Sequence, residues 1–216
     1  MPERTLIKCC GLRSEADVAA VSSAGADFAG FIMTERFWRY VSPGRVAVLH
    51  SRLDPRITAV GVFVNEPVGY VAAQLNSGTI DMAQLHGSED DEYISALRGL
   101  INTSDNVRMG NIVRGRIIKA FKVTSGEDIR RACASAADYI LLDSGTGTGR
   151  TFDWSLMSDI GRPYFFAGGL DPDNVADVVT RFRPFAVDVS SGIETDRHKD
   201  ADKIQAFVSG ARRASI

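Results

Sequence analysis

Polar residues stand at or just past the ends of apolar runs in this chain: Cys10, Gln84, His86, Asp143, Asp188, Ser190 and Ser191. A thiol and a carboxyl group in such positions can serve as base and acid. Cys10 closes the run Leu6-Ile7-Lys8-Cys9-Cys10-Gly11. Side chains alternate along a strand, so Ile7 and Cys9 share one side while Lys8 and Cys10 share the other. A cysteine in an apolar run is commonly no more than a small hydrophobe, and Cys9 is read that way. Cys10 differs by its inward direction and its place at the strand end. To act as a base its thiol has to ionise, which the nearby cation Lys8 would assist. Asp143 ends the run Leu141-Leu142-Asp143 and faces the glycine-rich stretch 145–149. A carboxylate there can simply anchor the loop. Partly buried, it can instead carry a raised pKa and act as a general acid near neutral pH.

Two further strand ends carry glycine and serine: Gly168-Gly169 and Ser190-Ser191-Gly192. Glycines let backbone N–H groups approach an anion closely, and serine hydroxyls add donors. Either turn alone is ordinary, but two at consecutive strand ends predict a phosphate site. Arg39 sits within Phe37-Trp38-Arg39-Tyr40. A loop arginine is usually a solvated charge, but flanking aromatics favour a fork that holds a planar carboxylate. Taken alone, His86 reads as a satisfied buried histidine. Lys119 is expected to point inward near other charges and is assigned no chemistry.

The elements that must position these groups alternate. Strand-like runs cover 6–10, 28–32, 57–64, 80–85, 117–121, 138–143, 164–167 and 185–189. Helical patterns follow each of them. Ser14 with Asp17 caps a first helix over 14–24. Ser42-Pro43 opens a second. Others cover 68–76, 89–98, 126–137, a short stretch near Trp154, 171–182 (Asp171 as cap, Pro172 at the first position) and 200–211. Residues 101–116 alternate polar residues and glycines without period and read as a surface excursion. Alternating β and α implies a parallel sheet, and eight such units imply an α/β single-domain (β/α)8 TIM barrel over 1–216. Chemistry in that fold sits at the C-terminal rim of the strands, where the polar residues cluster. A weak internal echo, Ser23-Ala24-Gly25-Ala26-Asp27-Phe28 into strand two and Ser135-Ala136-Ala137-Asp138-Tyr139 into strand six, is spaced as a half-barrel repeat would be. An open doubly wound sheet is the competing architecture, but the glycine fingerprint after its first strand is missing.

The 216 residues are 44% hydrophobic and 24% charged with a net charge of −2, which permits one sizeable core and shows no basic nucleic-acid or membrane-surface footprint. No apolar stretch approaches a membrane span, and no secretory signal is expected at the N-terminus. Three cysteines without a CxxC pair suggest neither a disulfide framework nor a zinc site, so a reducing, cytoplasmic setting is expected. The three histidines are scattered without metal spacing.

Taken together, the motifs are specific. They include Ile7-Lys8-Cys9-Cys10-Gly11, Arg39-Tyr40-Val41-Ser42, Gln84-Leu85-His86-Gly87, Leu141-Leu142-Asp143, Gly147-Thr148-Gly149-Arg150-Thr151-Phe152-Asp153-Trp154, Ala167-Gly168-Gly169-Leu170 and Asp188-Val189-Ser190-Ser191-Gly192-Ile193-Glu194. In these, and in their order, the chain resembles phosphoribosylanthranilate isomerase of tryptophan biosynthesis. The resemblance implies an Amadori rearrangement of an aminoaldose phosphate to an aminoketose phosphate. It implies Asp143 as the acid that opens the ribose ring and Cys10 as the base at sugar C2. It places Arg39 at the anthranilate carboxylate, Asp188 as a further active-site carboxylate, and Gly168, Gly169, Ser190, Ser191 and Gly192 at the phosphate. No metal and no organic cofactor is called for, and the expected partner is a small phosphorylated substrate. A monomer and a homodimer are both compatible with the family. Cys9 stands where an aliphatic residue is usual and Arg150 where a lysine is usual. Neither change removes a proposed catalytic residue. Competing readings are another sugar-phosphate isomerase or epimerase barrel, and a non-catalytic barrel that senses the same phosphate. The inward cysteine and the Arg39 loop favour the anthranilate substrate.

Overall fold

A computed structural model of the chain describes residues 4–102, 108, 109, 112, 113, 115–145 and 160–215. Its sheet is a closed parallel barrel of β1 (Leu6–Cys10), β2 (Phe28–Ile32), β3 (Thr58–Phe63), β4 (Met82–Leu85), β5 (Ile117–Lys122), β6 (Tyr139–Asp143), β7 (Tyr164–Ala167) and β8 (Ala186–Val189). Each strand pairs with its sequence neighbour, and β8 closes on β1 with Lys8 opposite Asp188. The helices are α1 (Glu15–Ala24), α2 (Pro43–His50), α3 (Val68–Asn76), α4 (Asp91–Leu100), α5 (Gly126–Ala134), α6 (Val175–Phe182) and α7 (Ala201–Ala214). The helix expected near Trp154 and most of the 145–149 loop lie outside the described residues.

Alternation along the strands divides the core into two layers. Leu6, Phe28, Val60, Met82, Leu141 and Phe165 fill the barrel interior, with the Phe28 and Phe165 rings packed edge-on at 5.3 Å. Ile7, Cys9, Ile140 and Val187 face outward into the layer between sheet and helices. Lys8 and Cys10 therefore point inward, and Cys9 is a packing residue. Lys119 departs from expectation. Its neighbours Ile118 and Ala120 belong to the interior and Ile117 to the outer layer, so Lys119 turns away from the barrel axis. Its ammonium donates to Gly87 O at 2.7 Å and meets Glu89 Oε2 at 3.2 Å, closing the turn after β4.

The echo between Asp27 and Asp138 has a physical basis at the opposite rim. Asp27 Oδ2 accepts the N–H of Ile7, and Asp138 Oδ2 accepts that of Ile117. Asp81 does the same for Ala59. Each aspartate precedes an even-numbered strand and ties down the start of the strand before it. Arginines from elsewhere close two of these knots, Arg4 and Arg212 on Asp27 and Arg98 and Arg116 on Asp138.

Ser14 and Asp17 form the expected capping box, and Ser125 with Asp128 forms another. Ser42 precedes Pro43 in extended backbone but makes no side-chain cap bond. The helix expected from Asp171 begins later. Asp171 Oδ1 instead accepts the N–H groups of Asp173 and Asn174 in a turn, and α6 starts at Val175. Within 101–116, Arg108–Met109 pairs antiparallel with Ile112–Val113. No helix of the described residues is long and apolar enough to cross a membrane.

Candidate active site

Strand ends β1, β4, β6, β7 and β8 surround a cavity of about 580 Å³ at the C-terminal rim. Cys10, Gln84, His86, Asp143, Asp188, Gly168, Gly169, Ser190 and Ser191 line it, with Phe37 from the loop after β2. Seven of the nine predicted site residues therefore share one cavity. Arg39 and Gly192 flank it without lining it.

At the base of this site lies an ion pair. Lys8 is fully buried, and its Nζ donates to Asp188 Oδ1 at 2.8 Å. Burial works against the Lys8 charge, yet the Asp188 carboxylate, aided by the Cys10 sulfur, outweighs it and raises the lysine pKa. Lys8 and Asp188 are inward residues of adjacent strands, a parity that the sequence already carries. Cys10 follows on the same face. Burial pushes its thiol up, and Lys8 offsets this only in part because Asp188 opposes it. The help expected from Lys8 is thus insufficient in the free chain, where the thiol is neutral at physiological pH. Space beside the sulfur is tight, since a Cβ on Gly30 would lie 2.6 Å from Cys10 Sγ.

Asp143 sits on the far side. Its Oδ1 accepts the Gly145 N–H at 2.9 Å, and His86 Nε2 lies 3.7 Å from Oδ2. The other His86 nitrogen is 2.8 Å from Gln84 Nε2. Burial alone would raise the carboxyl pKa, but His86, the Gly145 N–H and Lys122 together lower it. This direction is opposite to the one expected from burial, and the His86 contact, invisible in a linear reading, is the reason. His86 is therefore a neighbour of the acid rather than a core histidine with its needs met elsewhere.

The turns after β7 and β8 form the remaining wall. Gly168 and Gly169 both have left-handed backbone, with φ of +94° and +67°. A Cβ on Gly168 would collide with Ser144 Oγ and lie 2.6 Å from Asp143 Oδ1. Only glycine lets this turn pack against the acid. Ser190 Oγ donates to Cys10 O at 3.1 Å and Lys199 Nζ to Ser190 O at 2.8 Å, which fix the turn after β8. Gly192 lets that turn press against the backbone of Leu170, where a Cβ would clash with the carbonyl oxygen.

Arg39 already holds a carboxylate, that of Glu194. Its Nε donates to Oε1 at 2.9 Å and Nη2 to Oε2 at 2.7 Å. Its guanidinium carbon stacks 4.1 Å from the Trp38 ring centroid, with Arg13 and Arg197 also over that ring. Sequence reading did not single out Glu194, Gln84 as a partner of His86, or Asp188 as a partner of Lys8. Among the described residues no three His, Cys, Asp or Glu side chains are placed to hold a metal ion.

Comparison with known proteins places the chain in a family of the same fold. The family model for N-(5′-phosphoribosyl)anthranilate isomerase matches residues 7–210. An N-(5′-phosphoribosyl)anthranilate isomerase of Lacticaseibacillus casei strain BL23 is 40% identical, the match covering 98% of this chain and 96% of the relative. The crystal structure of phosphoribosyl anthranilate isomerase from Thermotoga maritima superposes with a TM-score of 0.83 at 34% identity, covering 97% and 99% of the two chains. A phosphoribosyl anthranilate isomerase in complex with reduced 1-(o-carboxyphenylamino)-1-deoxyribulose 5-phosphate superposes with a TM-score of 0.82 at 33% identity, again covering 97% and 99%. The chain belongs to the N-(5′-phosphoribosyl)anthranilate isomerase family and isomerises N-(5′-phosphoribosyl)anthranilate to 1-(2-carboxyphenylamino)-1-deoxyribulose 5-phosphate in tryptophan biosynthesis.

Proposed function

We propose that Asp143 and Cys10 are the acid and base of this isomerisation. The observation that carries this reading is their placement in one cavity whose third wall is the pair of turns at Gly168-Gly169 and Ser190-Ser191. The 5′-phosphate binds to those turns through backbone N–H groups and serine hydroxyls, with Gly192 keeping the second turn in place. Arg39 takes the anthranilate carboxylate. Asp188, neutralised by Lys8, stands beside the sugar.

The chemistry then runs across the cavity. Asp143 gives a proton to the ribose ring oxygen, the C1–O bond breaks, and the anthranilate nitrogen lone pair forms the Schiff base. Cys10 takes the proton from C2, leaving an enolamine. Loss of the C2 hydroxyl proton and protonation at C1 give the ketone, so no proton is gained or lost overall. In the free chain Asp143 is ionised and Cys10 is a thiol. Bound substrate displaces water from Asp143, and desolvation raises a carboxyl pKa, so one proton passes from the Cys10 thiol to Asp143, leaving the acid protonated and the base a thiolate; ring opening and C2 deprotonation return both groups to their free-chain states. Acid–base catalysis supplies roughly 10²–10⁴-fold, and phosphate anchoring supplies positioning. The chain acts in the cytoplasm on a small phosphorylated molecule, as a monomer or a homodimer.

The test is turnover of freshly prepared substrate, followed by the fluorescence of the anthranilate group, for the unmodified chain, Cys10→Ala and Asp143→Asn. Fast turnover by the unmodified chain and loss of at least about 10²-fold in each variant is expected. Unimpaired turnover by either folded variant removes that residue from its role.

A further inference from the structure

A guanidinium group offers five N–H donors along distinct edges. In Arg39 the side edge, Nε with Nη2, is fully used by the two oxygens of Glu194. No acceptor among the described residues takes Nη1. The end edge, Nη1 with the second Nη2 hydrogen, is therefore free to form a second two-point contact with a carboxylate. The rest of the side chain is fixed as well. Trp38 covers one face of the guanidinium at 4.1 Å. The stem crosses Gly11, where a Cβ would lie 2.8 Å from Arg39 Cδ and 3.1 Å from the cavity-lining Ser190 Oγ. Glu194 is itself held from behind, because Lys199 Nζ donates to Oε1 at 2.8 Å and is only 2% exposed. Two cations thus surround one carboxylate. Of the two, Arg39 is the one with unused donors, and it lies beside the cavity.

We propose that Glu194 is a positioning residue that aims the free edge of Arg39 at the substrate carboxylate and so makes the site selective for a carboxyphenyl amine over a plain phenyl amine. This rests on the reading of Arg39 as the carboxylate ligand. Arginine alone is long and loses considerable rotamer freedom on binding. With one edge clamped, that loss is already met in the free chain, and binding a second planar anion costs less. Glu194 touches no substrate atom in this scheme. It acts through Arg39.

Glu194→Gln keeps the size and an acceptor oxygen but removes the charge that fixes the side edge. Steady-state kinetics on N-(5′-phosphoribosyl)anthranilate and on its decarboxy analogue, N-(5′-phosphoribosyl)aniline, separate selectivity from general damage. For the anthranilate, KM is expected to rise about tenfold with kcat within about twofold, on the scale of one charge-assisted hydrogen bond. For the aniline, KM is expected to stay unchanged. Glu194→Asp, which keeps the charge and the Lys199 partner but shortens the reach, is expected to show a smaller rise of the same selective kind. It carries the test if the Gln variant does not fold. Equal changes for both substrates, no change for either, or a lower KM for the anthranilate would overturn the proposal. The last outcome would mean that Glu194 competes with the substrate for Arg39. Arg39→Ala measured alongside isolates the underlying reading. If its loss penalises both substrates equally, Arg39 is not the carboxylate ligand and the proposal falls with it. If Arg39→Ala is selective and Glu194→Gln is not, only the positioning role of Glu194 fails.

Discussion

Replacing Lys8 by methionine keeps the volume of the most deeply buried charged side chain among the described residues but removes its charge. Asp188, 9% exposed, is then left without the ammonium now 2.8 Å away. Breaking a buried pair from one side costs roughly 3–5 kcal/mol, because a buried charge loses its partner. A chain of this length loses about 2–4 °C of Tm per kcal/mol, so a fall of roughly 6–20 °C is expected for Lys8→Met. Replacing both partners by apolar groups is often neutral, so Lys8→Met/Asp188→Leu should recover most of the loss while remaining inactive. The sign of the pH dependence is fixed by the raised lysine pKa. The contribution is fully present below the ordinary value of 10.5 and is lost only as pH rises through the higher folded value. Measurements near neutral pH therefore report the whole effect. Thermal and urea unfolding followed by circular dichroism, run as a double-mutant cycle, give the coupling. A loss below about 1 kcal/mol for Lys8→Met, or a double variant no more stable than the single, would refute the claim that this pair is buried and coupled.

Other expectations concern the cavity walls. Gly30→Ala places a Cβ 2.6 Å from Cys10 Sγ, so the thiol or the strand has to move. Overpacking of this kind costs about 1–3 kcal/mol, and kcat should fall at least about tenfold, whereas full activity at unchanged Tm would show the thiol position to be uncritical. Gly168→Ala forces a left-handed backbone on alanine and drives its Cβ into Ser144, so competitive inhibition by inorganic phosphate should weaken, and an unchanged inhibition constant would detach this turn from the phosphate. The profile of kcat/KM against pH should be flat across neutrality, with its acid limb below the ordinary carboxyl range from Asp143 and its alkaline limb above the ordinary thiol range from Cys10. His86→Asn removes the leading contact that lowers Asp143 against burial and should move the acid limb to higher pH, while an unmoved limb would assign it to another group.

The inward placement of Lys8 and Cys10 was legible because a five-residue strand fixes parity from its own residues. The Ser14–Asp17 cap was legible for a similar reason, since its partners lie within one turn. Partners stay hidden, and directions mislead, where the deciding group is distant or the geometry is not periodic. Arg39 and Glu194 are 155 residues apart and meet only because β8 closes on β1. Asp143 has a lowered pKa because His86 comes to it from another strand end. Lys119, expected to point inward near other charges, lies on the opposite parity to its interior neighbours Ile118 and Ala120, and its partners Gly87 and Glu89 lie on the outer side. The turn at Asp171 mimics a helix start in sequence, with a cap residue and a proline, yet its carboxylate is satisfied locally before the helix begins.

The most direct measurement is single-turnover conversion of N-(5′-phosphoribosyl)anthranilate by Cys10→Ala, with protein in excess over substrate so that product release does not limit the signal. The expected result is product formation slowed by at least about 10²-fold relative to the unmodified chain, with the Tm retained. Product formed by Cys10→Ala at the unmodified rate would contradict the assignment of Cys10 as the base at C2.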